Sequence, residues 1–173
     1  MNHVLPWWHR PGPDGRQQTQ TDYAGAVYGS LLAASVIVAA STAVEFPRLE
    51  TVVLLLVTGV VFWVAHVYAR LAGERTVGQG LDWREIRRVG RGERSIVEAA
   101  VLPAVALAIS PLLGLDLTST AWFALAVAVA QQVSWAFLGA LYAGASRRQA
   151  SAEALVNLVL GLVIVAAKGA LGH

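Results

Sequence analysis

TVVLLLVTGVVFWVAHVYAR, residues 51–70, carries no charged side chain before Arg70. An α-helix rises about 1.5 Å per residue and a bilayer core is about 30 Å thick, so roughly 20 apolar residues cross it. The stretch has that length and therefore predicts a membrane span over 51–69. Similar runs occupy 24–44, 96–115, 120–143 and 154–171. Of these, 24–44 and 120–143 hold no Asp, Glu, Lys or Arg, while 96–115 contains Glu98, Pro103 and Pro111. Proline inside a span is tolerated where neighbouring groups satisfy the carbonyls it leaves free. The last run is the shortest and has a re-entrant alternative. Composition agrees with this reading: 56% of the 173 residues are hydrophobic and 14% are charged, against about a quarter charged in an average soluble domain. The predicted fold is an all-α integral membrane protein, a bundle of five transmembrane helices.

The basic residues set the predicted orientation. Arg10 and Arg16 precede the first span; Arg70, Arg75, Arg84, Arg87, Arg88, Arg91 and Arg94 lie between the second and third; Arg147 and Arg148 lie between the fourth and fifth. Only Arg48 and Lys168 fall on the other side. Lys and Arg accumulate in cytoplasmic loops, which places the N-terminus in the cytoplasm and the C-terminus outside. Residues 1–23, with Trp7 and Trp8, have neither the apolar core nor the cleavage site of a signal peptide and are expected to form a flexible cytoplasmic tail. The alanine, valine, glycine and arginine bias suits a bacterial inner-membrane protein.

Within the arginine-rich loop 70–95, Asp82 followed three residues later by Glu85 has the form of a capping box and predicts a short interfacial helix starting at Trp83. At about 100° per residue, Arg84, Arg87, Arg88 and Arg91 share one face. Trp83, Ile86 and Val89 spread over another side, suited to the headgroup layer. The arginines enforce topology and, with Trp83, are also candidates for binding anionic lipid or an acidic cytoplasmic partner, and a membrane partner protein is a separate candidate.

Six polar residues fall within the spans from midplane to cytoplasmic side: Tyr28, His66, Glu98, Gln131, Gln132 and Asn157. Ionisable and polar groups at that depth are costly in lipid and so are expected to converge on the protein interior. His66 and Glu98 sit at similar depth on consecutive helices and are expected to pair. The plainer readings are a neutral His66 ring held by a carbonyl or a tyrosine, and Glu98 as the reciprocal partner of an N-cap at Ser95. Glu153, after Ser151, is expected in the first turn of the fifth helix, where a carboxylate favours the dipole. Adjacent Gln131 and Gln132 point about 100° apart, so one is expected to hold a neighbouring helix while the other faces a cavity. Gly25, Gly29 and Ala33, spaced by four, predict a ridge for close helix approach, and Ala126 and Ala130 extend that theme to the fourth span.

The chain has no cysteine and four histidines, a single one of them in a span. No metal site, haem ligand pair or phosphate loop is legible, so no metal, cofactor or nucleic-acid partner is expected. Ser30 lacks a nucleophile context, so no catalytic residue is assigned. The leading expectation is an oligomeric channel or transporter for an ion, proton or small solute, working through the polar cluster. The alternatives are an accessory or scaffold subunit and, third, a lipid-modifying membrane enzyme.

Overall fold

The structure, a computed structural model, describes residues 13–42, 48–73 and 82–171, with side chains described only within 23–170. Among these there is no strand. The helices are α1 (Pro13–Ser41), α2 (Arg48–Gly73), α3 (Trp83–Gly92), α4 (Ser95–Ile109), α5 (Leu117–Tyr142) and α6 (Arg147–Leu171), with a 3₁₀ turn over Ser110–Leu113 after α4. Five are long and apolar enough to cross a membrane: α1, α2, α4 with its 3₁₀ turn, α5 and α6. The fifth run lies in a 25-residue helix with no break at which it would turn back.

Local chemistry sets the helix ends. α1 starts at Pro13, whose fixed φ suits a first helical turn, so residues 13–23 are helical where a flexible tail was expected. Trp7 and Trp8 lie outside the described residues. The expected start of α3 is found: Asp82 is its N-cap and accepts from the Arg84 amide at 3.1 Å. Glu85, however, pairs with Arg88 at 3.6 Å. At α5, the Asp116 carboxylate accepts from the Ser119 amide at 2.8 Å. Hydrogen bonds from Ser119, side chain and backbone, hold that carboxyl below its ordinary range, with nearby Arg48 contributing less. At α6, Ser146 and Gln149 form a reciprocal cap: Ser146 N and Oγ both lie 2.9 Å from Gln149 Oε1, and the Gln149 amide donates to Ser146 Oγ at 3.3 Å. Because that cap starts α6 at Arg147, Glu153 sits beyond the first turn rather than in it.

The two prolines of the third span each strand one carbonyl, since a proline cannot donate to the residue four back. Pro103 leaves the Ala99 carbonyl, which Gln131 Nε2 of α5 takes at 3.2 Å. Pro111 leaves the Leu107 carbonyl, which Ser110 Oγ takes at 2.8 Å. The chain then tightens into the 3₁₀ turn and ends on Gly114, whose φ of 68° is left-handed.

Ser95 is not the N-cap of α4. The cap is Arg94, whose backbone is already helical (φ −59°, ψ −26°) and makes no side-chain cap bond. α3 and α4 are separated by so short a turn that no extended residue intervenes, and a Ser95 N-cap needs one. Ser95 instead faces α1.

α1 lies at the centre, in contact with α2, α4, α5 and α6. It forms the interior with α4 and α5, where Ala34, Ile37, Leu107, Leu125 and Ala128 are fully buried. The Gly25–Gly29 ridge meets α4 within the chain. A Cβ on Gly29 would lie 2.6 Å from the Ile96 carbonyl oxygen, and one on Gly25 would lie 2.5 Å from Ser95 Oγ. Ala33 is buried along the same ridge. Ala126 and Ala130 are exposed, however, and the small residues of α5 that pack include Ala121, Ala124 and Ala128 instead. The inward arc of α5 is offset from the one expected. α2 packs on α4, with Gly59 against Ala100, and α6 packs on α5, with Gly161 against Val129. Both outer helices present valine and leucine outward along their length.

Contacts between helix ends show that successive long helices run antiparallel. One end gathers Tyr23, Arg70, Glu93 and Tyr142, and is called the basic end because the loop arginines lie there. The far end holds Ser41, Arg48, Thr120 and Lys168.

Candidate functional site

At the basic end, a groove of about 730 Å3 opens between α1, α5 and α6. Its principal side chains are Tyr23, Tyr28, Trp135, Gln149, Glu153 and Asn157. The volume arises because α5 presents Ala136, Gly139 and Ala140 to it, leaving space where larger residues would close the helices together. Tyr23 seats directly on Gly139, where a Cβ would come 2.8 Å from its own. Its ring stacks on Tyr142 (centroids 5.5 Å, 17° between planes) and tilts against Trp135 (5.7 Å).

Asn157 leads from the groove inward. Its Nδ2 donates to the Glu153 carbonyl at 3.0 Å, and it receives the Nε2 of fully buried Gln132 on its carbonyl at 3.0 Å and its Oδ1 at 3.2 Å. Among the described residues, buried Gln132 Oε1 has no hydrogen-bond partner, and the same holds for Gln131 Oε1 and Ser95 Oγ. A buried acceptor left alone costs about 1–3 kcal/mol, so these oxygens are places where a water or a donor from a solute would be stabilised.

The six sequence candidates do not form one cluster. His66 and Glu98 do not meet. Glu98 is exposed and pairs with Arg94 at 3.3 Å, because it lies on the side of α4 opposite Ile96, Ala99 and Ala100, which are buried. His66 is also exposed and lies against Tyr28, ring centroids 5.2 Å apart, with Phe62 beside them. Equal depth brought these groups level without fixing their azimuth. Gln131 and Gln132 do point apart, yet each holds a helix: Gln131 reaches α4 and Gln132 reaches α6. Tyr28 and Asn157 line the groove.

No protein-family model, curated protein or solved structure matches the chain. The functional reading therefore rests on this geometry and on the polar contacts that hydropathy did not reveal. Chief among those contacts is Glu93, buried at 4% exposure and paired with Arg70 of α2. Trp63 Nε1 donates to the Gly90 carbonyl at 2.8 Å, so α3 is fastened to α2 at two points. The signal was present as a carboxylate among arginines directly before the third span. At the far end, Arg48 donates to the Leu115 carbonyl and Thr120 Oγ1. Lys168 is buried, donates to Ser41 Oγ at 2.8 Å and lies 5.0 Å from the Trp122 ring centre.

The arginine face of α3 is present, with Arg84, Arg87, Arg88 and Arg91 all exposed. Its apolar side differs from the expectation. Val89 and Ile86 pack against Trp63, Val67 and Leu71 of α2, which leaves Trp83 outward at 68% exposure. The helix is held chiefly by protein, with its arginine face exposed.

Proposed function

We propose that the protein is an oligomeric membrane transporter of a small solute, embedded in a bacterial cell membrane with its basic end in the cytoplasm, and that the solute enters through the groove between α1, α5 and α6. The observation that carries this reading is the Asn157–Gln132 contact, which joins the groove wall to a buried, unsatisfied acceptor deep in the bundle. Interior alanines at α5 close the centre of a single chain, so a route through it requires helix movement or a second copy. The outward apolar faces of α2 and α6 suit both lipid and such a copy.

Reconstitution in proteoliposomes tests this, with proton, potassium and a panel of small organic solutes (ammoniums, amino acids, sugars) as probes. The parent is expected to move at least one above empty vesicles. Gln132→Met, which keeps volume but removes the amide, and Ala143→Trp, which fills the groove from its exposed rim, are each expected to lower that flux roughly tenfold, equivalent to about 1.4 kcal/mol. Absence of flux for every probe, or flux indifferent to both substitutions, would overturn the reading.

The four exposed arginines of a firmly docked α3 favour a second reading, an accessory role on anionic lipid. Each basic residue near an anionic surface contributes about 1 kcal/mol. Arg87→Glu combined with Arg88→Glu, in protein held in zwitterionic nanodiscs, is therefore expected to weaken binding to phosphatidylserine vesicles by at least about tenfold. Unchanged binding would remove anionic lipid as the partner of this face.

A further inference from the structure

Resting on the proposal that the groove admits a solute, we infer that its ligand is a monovalent organic ammonium carrying an apolar body. Three observations define that class. The first is the aromatic wall: Tyr23, Tyr28 and Trp135 line the groove, with Tyr23 seated on Gly139, stacked on Tyr142 and tilted against Trp135. Aromatic faces carry negative quadrupole density and attract cations within about 6 Å, quaternary ammoniums above all.

The second is the charge inventory of the opposite wall. Gln149, Glu153 and Asn157, spaced by four, share one face of α6 and line the groove. Asn157 is occupied by Gln132 and the Glu153 carbonyl, and Gln149 Oε1 is occupied by Ser146. The Glu153 side chain is exposed, and its carboxylate has neither an ion-pair nor a hydrogen-bond partner among the described residues. Arg147 and Arg148 fall more than about 100° of helix rotation from it. The positive end of the α6 dipole acts chiefly within the first turn, which Glu153 lies beyond. An anion would face that carboxylate with no fixed cation among the described lining residues, whereas a cation finds its counter-charge.

The third is size. A cavity of about 730 Å3 falls within the roughly 300–1,000 Å3 of small-molecule sites. Hard metal cations, by contrast, take about six oxygen ligands in a tight shell, and a single carboxylate does not supply them. The small residues Ala136, Gly139 and Ala140 on the groove's α5 side give an apolar surface to the body of the ligand while its head group meets Glu153 and the rings.

The test is equilibrium binding of radiolabelled benzyltrimethylammonium to the full chain in lipid nanodiscs, with empty nanodiscs subtracted. Neopentylbenzene, in which carbon replaces nitrogen without change of shape, serves as the neutral competitor. The unlabelled cation is expected to displace the label at concentrations at least about tenfold below those the neutral isostere requires, since cation–π attraction and a partly exposed ion pair each contribute up to about 1 kcal/mol. Glu153→Gln and Trp135→Leu are each expected to weaken binding about threefold to tenfold. Glu50→Gln removes the same charge in the first turn of α2, at the far end, and is expected to leave binding within twofold, about the experimental spread. Equal competition by the neutral isostere, absence of binding, or equal losses from Glu153→Gln and Glu50→Gln would overturn the ligand class. Transport of a neutral or anionic solute without ammonium binding would overturn this inference and leave the transporter reading standing. Ammonium binding without flux of any probe would do the reverse.

Discussion

Gly29→Val is expected to melt well below the parent in detergent, by about 10 °C. The cause is backbone contact between α1 and α4. A Cβ at residue 29 would stand 2.6 Å from the Ile96 carbonyl oxygen, 2.8 Å from the Ala99 Cβ and 3.1 Å from the Ile96 Cα. None of these is the end of a flexible side chain, so relief requires that one helix axis move. Overpacking a close-packed interior costs about 1–3 kcal/mol. A carbonyl contact of this kind belongs at the upper end, where about 3 kcal/mol corresponds to roughly 10 °C for a chain of this size. Gly73→Ala is the control: nothing among the described residues lies within 4 Å of its Cβ position, and it is expected to melt with the parent. Thermal scanning of the two variants in the same detergent checks the pair. A Gly29→Val protein as stable as the parent would mean that α1 and α4 do not meet along this ridge. The effect reaches function because α1 forms one side of the groove, with Tyr23 and Tyr28 on it.

This ridge was legible in the sequence because spacing by four on a helix specifies both a face and a small size. The five long helices were legible for a related reason: apolar length is a one-dimensional property. What failed was azimuth. Glu98 and His66 were assigned matching depths, and those depths say nothing about direction, so the carboxylate points away from the core and meets Arg94 instead. The role of Gln131 was half visible, since Pro103 identifies the Ala99 carbonyl as the one lacking an intrahelical donor. Which side chain would reach it depends on how α5 rotates against α4, and only packing decides that. The groove was invisible from sequence. It is produced by what α5 lacks at 136, 139 and 140, and an absence of bulk acquires meaning only once Tyr23 and α6 are placed around it. Glu153 is the clearest instance. Read as a helix-start residue, it lies beyond the first turn because Ser146 and Gln149 cap α6 earlier, and the way α6 packs on α1 and α5 sets it on the groove.

The asymmetry of the Arg70–Glu93 pair gives the second large effect. Glu93 retains 5% of its side-chain exposure while Arg70 retains 42%, so the two partners are not equivalent to lose. Arg70→Ala strands a carboxylate inside the junction of α2, α3 and α4. Breaking a fully buried pair costs about 3–5 kcal/mol. Because the guanidinium is partly solvated, the expected loss here is smaller, about 2 kcal/mol. Glu93→Gln instead leaves a neutral amide in the buried position, and about 1 kcal/mol is expected. Arg70→Ala combined with Glu93→Gln should recover part of the single Arg70→Ala loss, because the stranded charge is gone. Thermal melting of the four proteins measures that coupling, and strictly additive losses would show that the pair contributes no mutual stabilisation. Arg70→Ala should also raise amide hydrogen exchange along Trp83–Gly92, since α3 would lose one of its ties to α2 and keep the Trp63–Gly90 hydrogen bond and the Ile86 and Val89 contacts. If the arginine face works on a lipid surface, its orientation depends on this docking. The same substitution would then weaken vesicle binding without touching Arg84, Arg87, Arg88 or Arg91. Faster exchange together with unchanged vesicle binding would separate the anchor from the surface it presents.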